Sequence, residues 1–509
     1  MYTSNTASTL AGAQLGLELE MGVVSTASGQ SAAVNHYFAE LQKIKAPTEP
    51  KAELVMTGGR ATAVQTSQAD CGLDNGFNLL ETALRPVASG QGGLLELARR
   101  AGQEVSHSLQ ALQAEGLTIL NAAQHPQQAC DLTWYRHTRV ERPIYKELTE
   151  HRGWAHHLGL DAKAQNGANT QVPVQQAVAA MNAMLALAPA FIALFANSPL
   201  EAGQTTGFKE NRLTLWPRMF AQARFAGDRH VQTLPKRPFH DLADYFLWMF
   251  GPATVSRSLP LEGGQSYKSP QSVLLCQNLS LQDFLYAGQA RAHYLGACAP
   301  LCLQARSEHF VYSQIAMFLD ARLRYSVQTY PPLSQLLRAW EQALGLEQLL
   351  ADCGGVMYIE GRAPGANFPD AVLVQEGGLH VALTSVIAPQ ALQLGLLRNI
   401  AGATQLWQRW GWQQLASLRV NAMAEALDDP SVLALCQEVL EVALDGLDSA
   451  EQPCLAYVQY AVQAKRCGAD RLLASWNHAQ GLNPAERLQC MLERHQVICP
   501  NALQQQEPA

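Results

Sequence analysis

The feature that most constrains this chain is the passage from Ala190 to Phe220, AFIALFANSPLEAGQTTGFKENRLTLWPRMF. An apolar segment stops abruptly at Asn197-Ser198-Pro199, and a loop of small residues, Gly203 to Gly207, follows. Lys209, Arg212 and Arg218 come next, interleaved with Phe208, Trp216 and Phe220. This reads as a buried helix that delivers a small-residue loop and a fan of cations to one place. Arg offers a rigid donor fork for carboxylate and phosphate oxygens. Small loop residues let backbone N–H groups approach an anion. An anion-binding wall and a solvated basic strand fit the passage about equally, so its context must decide.

With 509 residues, 48% hydrophobic and 16% charged, the chain is globular and long enough for a large core. The net charge of -7 and the lack of a basic arm argue against a nucleic-acid partner. The start, MYTSNTASTLAGAQLGLELE, lacks the basic region and apolar run of a secretory signal. Met184 to Ala196 is too short to span a bilayer and contains Pro189, so a buried, kinked helix is expected there, with no membrane partner. The 11 cysteines are scattered, without a CxxC pair; Cys298 and Cys302 are the closest, with no His at zinc-ligand spacing. The expectation is a cytoplasmic protein with reduced cysteines and no zinc site.

Residues 15–24 alternate as a strand does, and residues 53–66 read as a strand pair around Gly58-Gly59. Gly76 to Val87, Gly92 to Gly116, Val140 to Leu158 and Val178 to Ala196 read as helices, and Leu117 to Ala123 and Gln171 to Val174 as extended. Ser256 to Ser272 is the candidate mobile loop, and residues 309–328 and 355–362 read as strands returning to the first sheet. From about Pro389 helical patterns dominate: Leu392 to Leu427, Ser431 to Leu447, Cys454 to Cys467 and Ala485 to Val497. Asp429-Pro430 and Asn483-Pro484 supply caps, with Glu486 completing a capping box. The layout is α+β: a core over residues 1–385, a helical region over 386–503, and a frayed tail at 504–509.

Several residues suit chemistry. On a strand Glu18 and Glu20 point to one face, and two adjacent carboxylates call for a cation between them. Mg²⁺ is commonly held by one or two carboxylates plus phosphates. Glu360 and Arg362 share a face in Tyr358-Ile359-Glu360-Gly361-Arg362, as do Asp320, Arg322 and Arg324 farther upstream. Glu81 follows Asp70 and Asp74, where a carboxylate at a helix start is the plain reading. Lys209 to Arg237 carries seven cations against Glu210 and Asp228, which suits a nucleotide site. Solvated strand faces would look the same.

Four of these pieces, in this order, resemble the glutamate–cysteine ligase type 2 family of ATP-dependent carboxylate–amine ligases. They are Gly16-Leu17-Glu18-Leu19-Glu20; Thr170-Gln171-Val172-Pro173-Val174; Leu187-Ala188-Pro189 through Asn197-Ser198-Pro199 into Thr206-Gly207-Phe208 and Arg212; and Tyr358-Ile359-Glu360-Gly361-Arg362. The resemblance implies a curved antiparallel sheet like that of glutamine synthetase, with flanking helices, holding Mg²⁺ and ATP. It implies metal ligands at Glu18, Glu20 and Glu360, more loosely Glu81, and clamps at Arg212 and Arg362. Lys209, Arg212, Arg322 and Arg324 are the candidate nucleotide contacts. The implied substrates are ATP, glutamate or a similar carboxylate, and an amine. Pro173 stands where the family usually has His, and Leu319-Asp320-Ala321-Arg322 departs from its Pro-x-x-Arg pattern, so the amine is left open. The expected reaction is amide formation through an acyl phosphate. The rivals are a phosphotransferase and an inactive nucleotide-binding relative.

Overall fold

A computed structural model describes residues 10–504 except 11, 91, 160–163, 231, 262–271, 296–298 and 313–318. Strand β1 (Gln14–Ser25) is the spine. Its residues Leu15, Leu17, Leu19, Met21 and Val23 are at most 1% exposed, and Gly16, Glu18, Glu20 and Gly22 alternate with them toward the opposite face. The chain then supplies β2 (Glu53–Thr57), β3 (Arg60–Gln65), β4 (Ala69–Leu73), β5 (Leu79–Leu84), β6 (Val87–Ala88), β7 (Leu117–Ile119) and β8 (Asn166–Val172). A small hairpin, β9 (Leu200–Glu201) with β10 (Gln204–Thr205), and a four-stranded sheet, β11 (Ser258–Pro260) to β12 (Ser272–Leu275), β13 (Gln289–Tyr294) and β14 (Pro300–Gln304), come next. Strands β15 (Ala321–Ser326) and β16 (Val356–Gly361) return to the main sheet.

That sheet is antiparallel and open, in the order β15-β16-β8-β1-β5-β4-β3-β2, with β6 and β7 beside the ends of β1. The β2–β3 turn uses Gly58 and Gly59 at φ 57° and 80°, both in the left-handed region that a two-residue hairpin turn requires. Helices Gly93–Gln113, Ala177–Ala186 and Ala388–Arg398 pack on the sheet behind its apolar face. One core cluster runs from Leu10 to Val497 and takes in most of the helices beyond residue 388, while Leu472, Trp476, Met491 and Leu492 pack in a second, smaller cluster.

The passage read as a helix over Gly76 to Val87 is instead strands β5 and β6. Leu79-Leu80 and Ala83-Leu84 imitate a helical repeat, yet β5 lies between β1 and β4, and pairing on both edges overrides local propensity. Val140 to Leu158 is broken into short turns, one of them a π-turn at Glu147–His151. Among the described residues of 309–328, which leave out 313–318, only β15 is a strand, and Ser307–Tyr312 is helical. The long pattern from Leu392 divides into helices ending at Asn399 and Gly411. Most of the proposed Ser256–Ser272 loop, Cys298 and the tail beyond residue 504 lie outside the described residues. The caps at Asp429 and Asn483 form, the latter with Glu486 in a capping box.

The apolar segment before Asn197 is two buried helices, Ala177–Ala186 and Ala188–Phe195, bent by 49° at a break that puts Pro189 in a first turn. Among the described residues no single helix is long and apolar enough to cross a membrane; this bent pair and one other pass only by length and composition.

Helix Ala388–Arg398 sits behind β8 because glycines let it approach Pro430–Gly446. A Cβ on Gly395 would lie 2.3 Å from the carbonyl oxygen of Ala443, and one on Gly446 would lie 1.9 Å from that of Gly395. Gly395→Ala therefore forces backbone apart and should lower stability by about 1–3 kcal/mol, read as a shift in urea midpoint. An unchanged midpoint would show that the helices slide apart freely.

Candidate active site

The register decides which side chains meet. Directly opposite residues of an antiparallel pair share a face, with Cβ atoms about 5 Å apart. Glu20 lies opposite Glu81 and Glu18 opposite Ala83. On the other edge of β1, Gly16 lies opposite Asn169 and Glu18 opposite Gly167. Asn169 in turn faces Glu360, and Gln171 faces Tyr358. Glu360 faces Arg322, and Tyr358 faces Arg324. One side of the sheet thus carries Glu81, Glu20 and Glu18 on its β5–β1 half and Glu360, Arg322 and Arg324 on its β16–β15 half.

The arginine half is built around Glu360, which is 1% exposed. Its Oε2 accepts from Arg322 Nε at 2.7 Å and pairs with Arg324 Nε at 3.1 Å; its Oε1 accepts from Arg362 Nη1 at 2.9 Å. Burial works against its ionisation, but the three guanidinium groups win and hold its carboxyl far below the usual carboxylate range. Three guanidinium groups thus crowd around one carboxylate. Burial and the neighbouring Arg324 and Arg362 accordingly push Arg322 down.

The carboxylate half gathers acids. Burial, then Glu360 and Glu81, push Glu18 up to about 7. Glu20 is 6% exposed and its Oε2 accepts from the Gln165 backbone N–H at 3.1 Å. Arg362 is raised, burial notwithstanding, by Glu360, Glu20 and Glu18, so it stands between the two halves. The expected set of four glutamates is therefore divided: Glu18, Glu20 and Glu81 lie together, whereas both oxygens of Glu360 accept from arginine. Among the described residues no group of three His, Cys, Asp or Glu side chains could hold a metal ion by itself.

The three cations that follow Asn197 are each paired with a protein acid. Lys209 Nζ is paired with Asp428 and Asp470 at 2.7 and 2.6 Å. Arg218 pairs with Glu201 at 2.7 Å. Arg212 is 2% exposed, gives Nε to Glu210 at 2.8 Å, and gives Nη2 to the carbonyls of Arg362 and Ala363. Lys209 and Arg212, expected at the nucleotide, thus hold protein groups. Asp320, expected beside Arg322 and Arg324, makes a two-point pair with Arg419. Pro173 closes β8 and starts the turn Val174–Gln176 that leads into the buried helix.

Sequence reasoning passed over Glu210, a fully buried acid. Its spacing in Glu210-x-Arg212 repeats that of Glu360-x-Arg362, which was the available signal. It also passed over Gln390 and Gln393, which donate from the helix behind the sheet to Thr170 and, in the case of Gln393, to the carbonyls of Ala168 and Ile359.

No curated protein sequence matches the chain. Among solved structures, a bifunctional glutathione synthetase from Pasteurella multocida is similar at 11% identity and a TM-score of 0.44, covering 97% of this chain and 53% of that one. This chain therefore spans about half the length of that protein. A glutamate–cysteine ligase from Francisella tularensis, solved with AMP, is similar at 11% identity and a TM-score of 0.42, covering 98% and 90%. The ligase PafA, solved in complex with the prokaryotic ubiquitin-like protein Pup, is similar at 10% identity and a TM-score of 0.38, covering 97% and 75%. The sequence profile that matches spans β1 to the helix Leu242–Phe250, which takes in Glu18, Glu20, Glu81 and the Asn197–Arg212 loop but stops before β15 and β16. Over residues 14–247 the chain matches Glutamate-cysteine ligase family 2, and its resemblance to that family is established there.

Proposed function

We propose that this protein is an ATP-dependent carboxylate–amine ligase that joins a carboxylic acid, glutamate or a close analogue, to an amine through an acyl phosphate. The observation that carries the reading is the division of charge on one sheet face: Glu18, Glu20 and Glu81 on one half, and Arg322, Arg324 and Arg362 around a single Glu360 on the other. The family match over residues 14–247 supports it. In this reading the sheet is of the glutamine synthetase kind.

The donor set suits Mg²⁺. Hard carboxylate oxygens are its ligands, and one or two suffice where phosphates and waters complete the shell. One or two of Glu18, Glu20 and Glu81 would hold it together with phosphate and water oxygens, and when bound it neutralises phosphate charge. The protein's own side chains do the rest. Arg322, Arg324 and Arg362, gathered on one face of the sheet, bind anionic oxygens of the acid or the transferred phosphoryl group. Phosphoryl transfer asks chiefly for positioning and charge stabilisation, which fixed guanidinium groups supply. A carboxylate is a poor electrophile, and phosphorylation gives it a leaving group.

The test uses glutamate with ¹⁸O in its γ-carboxylate, ATP, Mg²⁺ and a panel of amino acids and amines. The expected products are ADP and phosphate carrying one labelled oxygen, formed only with an amine present. AMP carrying the label would mean adenylation and overturn the acyl phosphate. ADP formed at the same rate without any amine would assign a phosphotransferase instead.

A further inference from the structure

The loop that follows Asn197 ends at a buried ion pair with no substrate surface, and that pair reaches the one arginine standing between the two halves of the site. Glu210 is 0% exposed. Its Oε2 accepts from the Asn197 backbone N–H and from Ser198 Oγ, both at 2.9 Å. Ser198 Oγ also accepts from the Arg212 backbone N–H at 3.0 Å. Glu210 Oε1 accepts from Arg212 Nε at 2.8 Å, and Arg212 Nη2 donates to the carbonyls of Arg362 at 3.3 Å and Ala363 at 2.9 Å.

Those two carbonyls lie just past the end of β16, where a chain would otherwise fray. The amides of the same two residues donate to the Asp320 carbonyl at 2.8 and 3.0 Å, and Asp320 is itself held by Arg419. The 362–363 segment is therefore gripped from both sides. Gly365 brings it close: a Cβ there would lie 2.7 Å from the Phe195 carbonyl oxygen and 2.9 Å from Glu210 Oε1. A buried charge pair of this kind is costly to form and often adds little stability over an apolar pair, so its retention asks for another reason.

We propose that Glu210 and Arg212 are positioning residues for Arg362: they fix the backbone from which its guanidinium reaches Glu360 and the charged face. The pair touches no substrate. Its function is to convert the fixed end of the Ala188–Phe195 helix into a fixed origin for the Arg362 side chain. The placement of Arg362 in the ligase site rests on the function proposed above; the geometric coupling does not.

The experiment compares Arg212→Lys and the milder Ser198→Ala with the unchanged protein. Lysine keeps the charge but cannot hold Glu210 and two carbonyls at once. Phenylglyoxal, which reacts with guanidinium groups, is applied briefly, and labelling at Arg362, Arg322 and Arg324 is counted by mass spectrometry. The expected result is a several-fold rise at Arg362 relative to the other two, larger in Arg212→Lys than in Ser198→Ala. An unchanged ratio, or an equal rise at all three sites, overturns the proposal, the latter because it reports general loosening. Should Arg212→Lys not fold, the ratio in Ser198→Ala decides. A kinetic arm follows ADP release. Arg212→Lys should shift kcat and KM in the same proportion as Arg362→Lys, and the double variant should be no worse than Arg362→Lys alone; additive losses would overturn the coupling. If the unchanged protein releases no ADP with any acid and amine, the ligase reading fails, and the labelling ratio still decides this one.

Discussion

Glu360→Gln should lower the stability of the protein by roughly 3–5 kcal/mol, the cost usual for removing one partner of a buried charge cluster. Glu360 is ion-paired with Arg322, Arg324 and Arg362. Their side chains are 15–28% exposed, too little for water to take its place fully. Glutamine has one acceptor oxygen and no charge, so three guanidinium groups would face one another across a neutral amide. The pH dependence follows from the sign of the shift. A carboxylate whose folded value lies below its unfolded value contributes stability above the unfolded value, near 4.5, and loses it as pH falls toward the folded one. The gap between parent and variant should thus be constant from about pH 6 to 8 and begin to close below about pH 4.5. Urea titrations across that range measure it. Phosphate should restore part of the loss in Glu360→Ala, whose smaller side chain leaves room for an anion. A gap below about 1 kcal/mol would mean the arginines are as well satisfied by neighbours and water, as in an ordinary surface pair.

The site was legible where its geometry is local. Glu18-x-Glu20 and Glu360-x-Arg362 are adjacent on their own strands, and period two alone puts each pair on a face. The β2–β3 turn, the caps at Asp429 and Asn483 and the break at Pro189 were legible for the same reason. What the sequence hid is register. Glu81 meets Glu20 only because β5 pairs with β1, and no repeat within Asn78–Arg85 announces that partner. Lys209 read as a nucleotide contact because its partners Asp428 and Asp470 lie more than two hundred residues away. Arg212 was found, but its surroundings were not: the carbonyls it holds belong to a strand end about 150 residues downstream. In three dimensions Lys209, Arg212, Arg218 and Arg237 of that basic run are taken up in ion pairs. The strand pair Arg322 and Arg324, which looked like a solvated edge, faces the acid it balances.

Glu18→Gln should reduce ADP formation by about 10²–10³-fold, the usual loss when one fixed charge-stabilising group is removed from a site, while making the protein more stable at neutral pH. The two effects have one cause. Burial and the like charges of Glu360 and Glu81 raise Glu18 to about 7, against 4.5 for a free side chain. Below pH 4.5 both folded and unfolded states carry the proton, and Glu18 costs nothing. Between 4.5 and 7 the unfolded chain has lost the proton and the folded one keeps it, so stability falls as pH rises; above 7 the full penalty remains. Glutamine removes that penalty, on the order of 2 kcal/mol for a half-buried group. The variant should therefore gain stability over the parent progressively from pH 5 to 8 and match it near pH 4. The same linkage predicts that Mg²⁺ with nucleotide binds the parent more tightly as pH rises from about 6 to 8 and releases a proton on binding, because a cation favours ionised Glu18. Calorimetry in buffers of different ionisation enthalpy reads that proton directly. A surface carboxylate would show neither the stability gain nor the proton. A protein that keeps a buried carboxylate such as Glu18 among like charges gives up stability that a ligand of opposite charge restores. Unchanged ADP formation in Glu18→Gln would place the cation elsewhere on the sheet, and a Glu81→Gln series run in parallel would locate it.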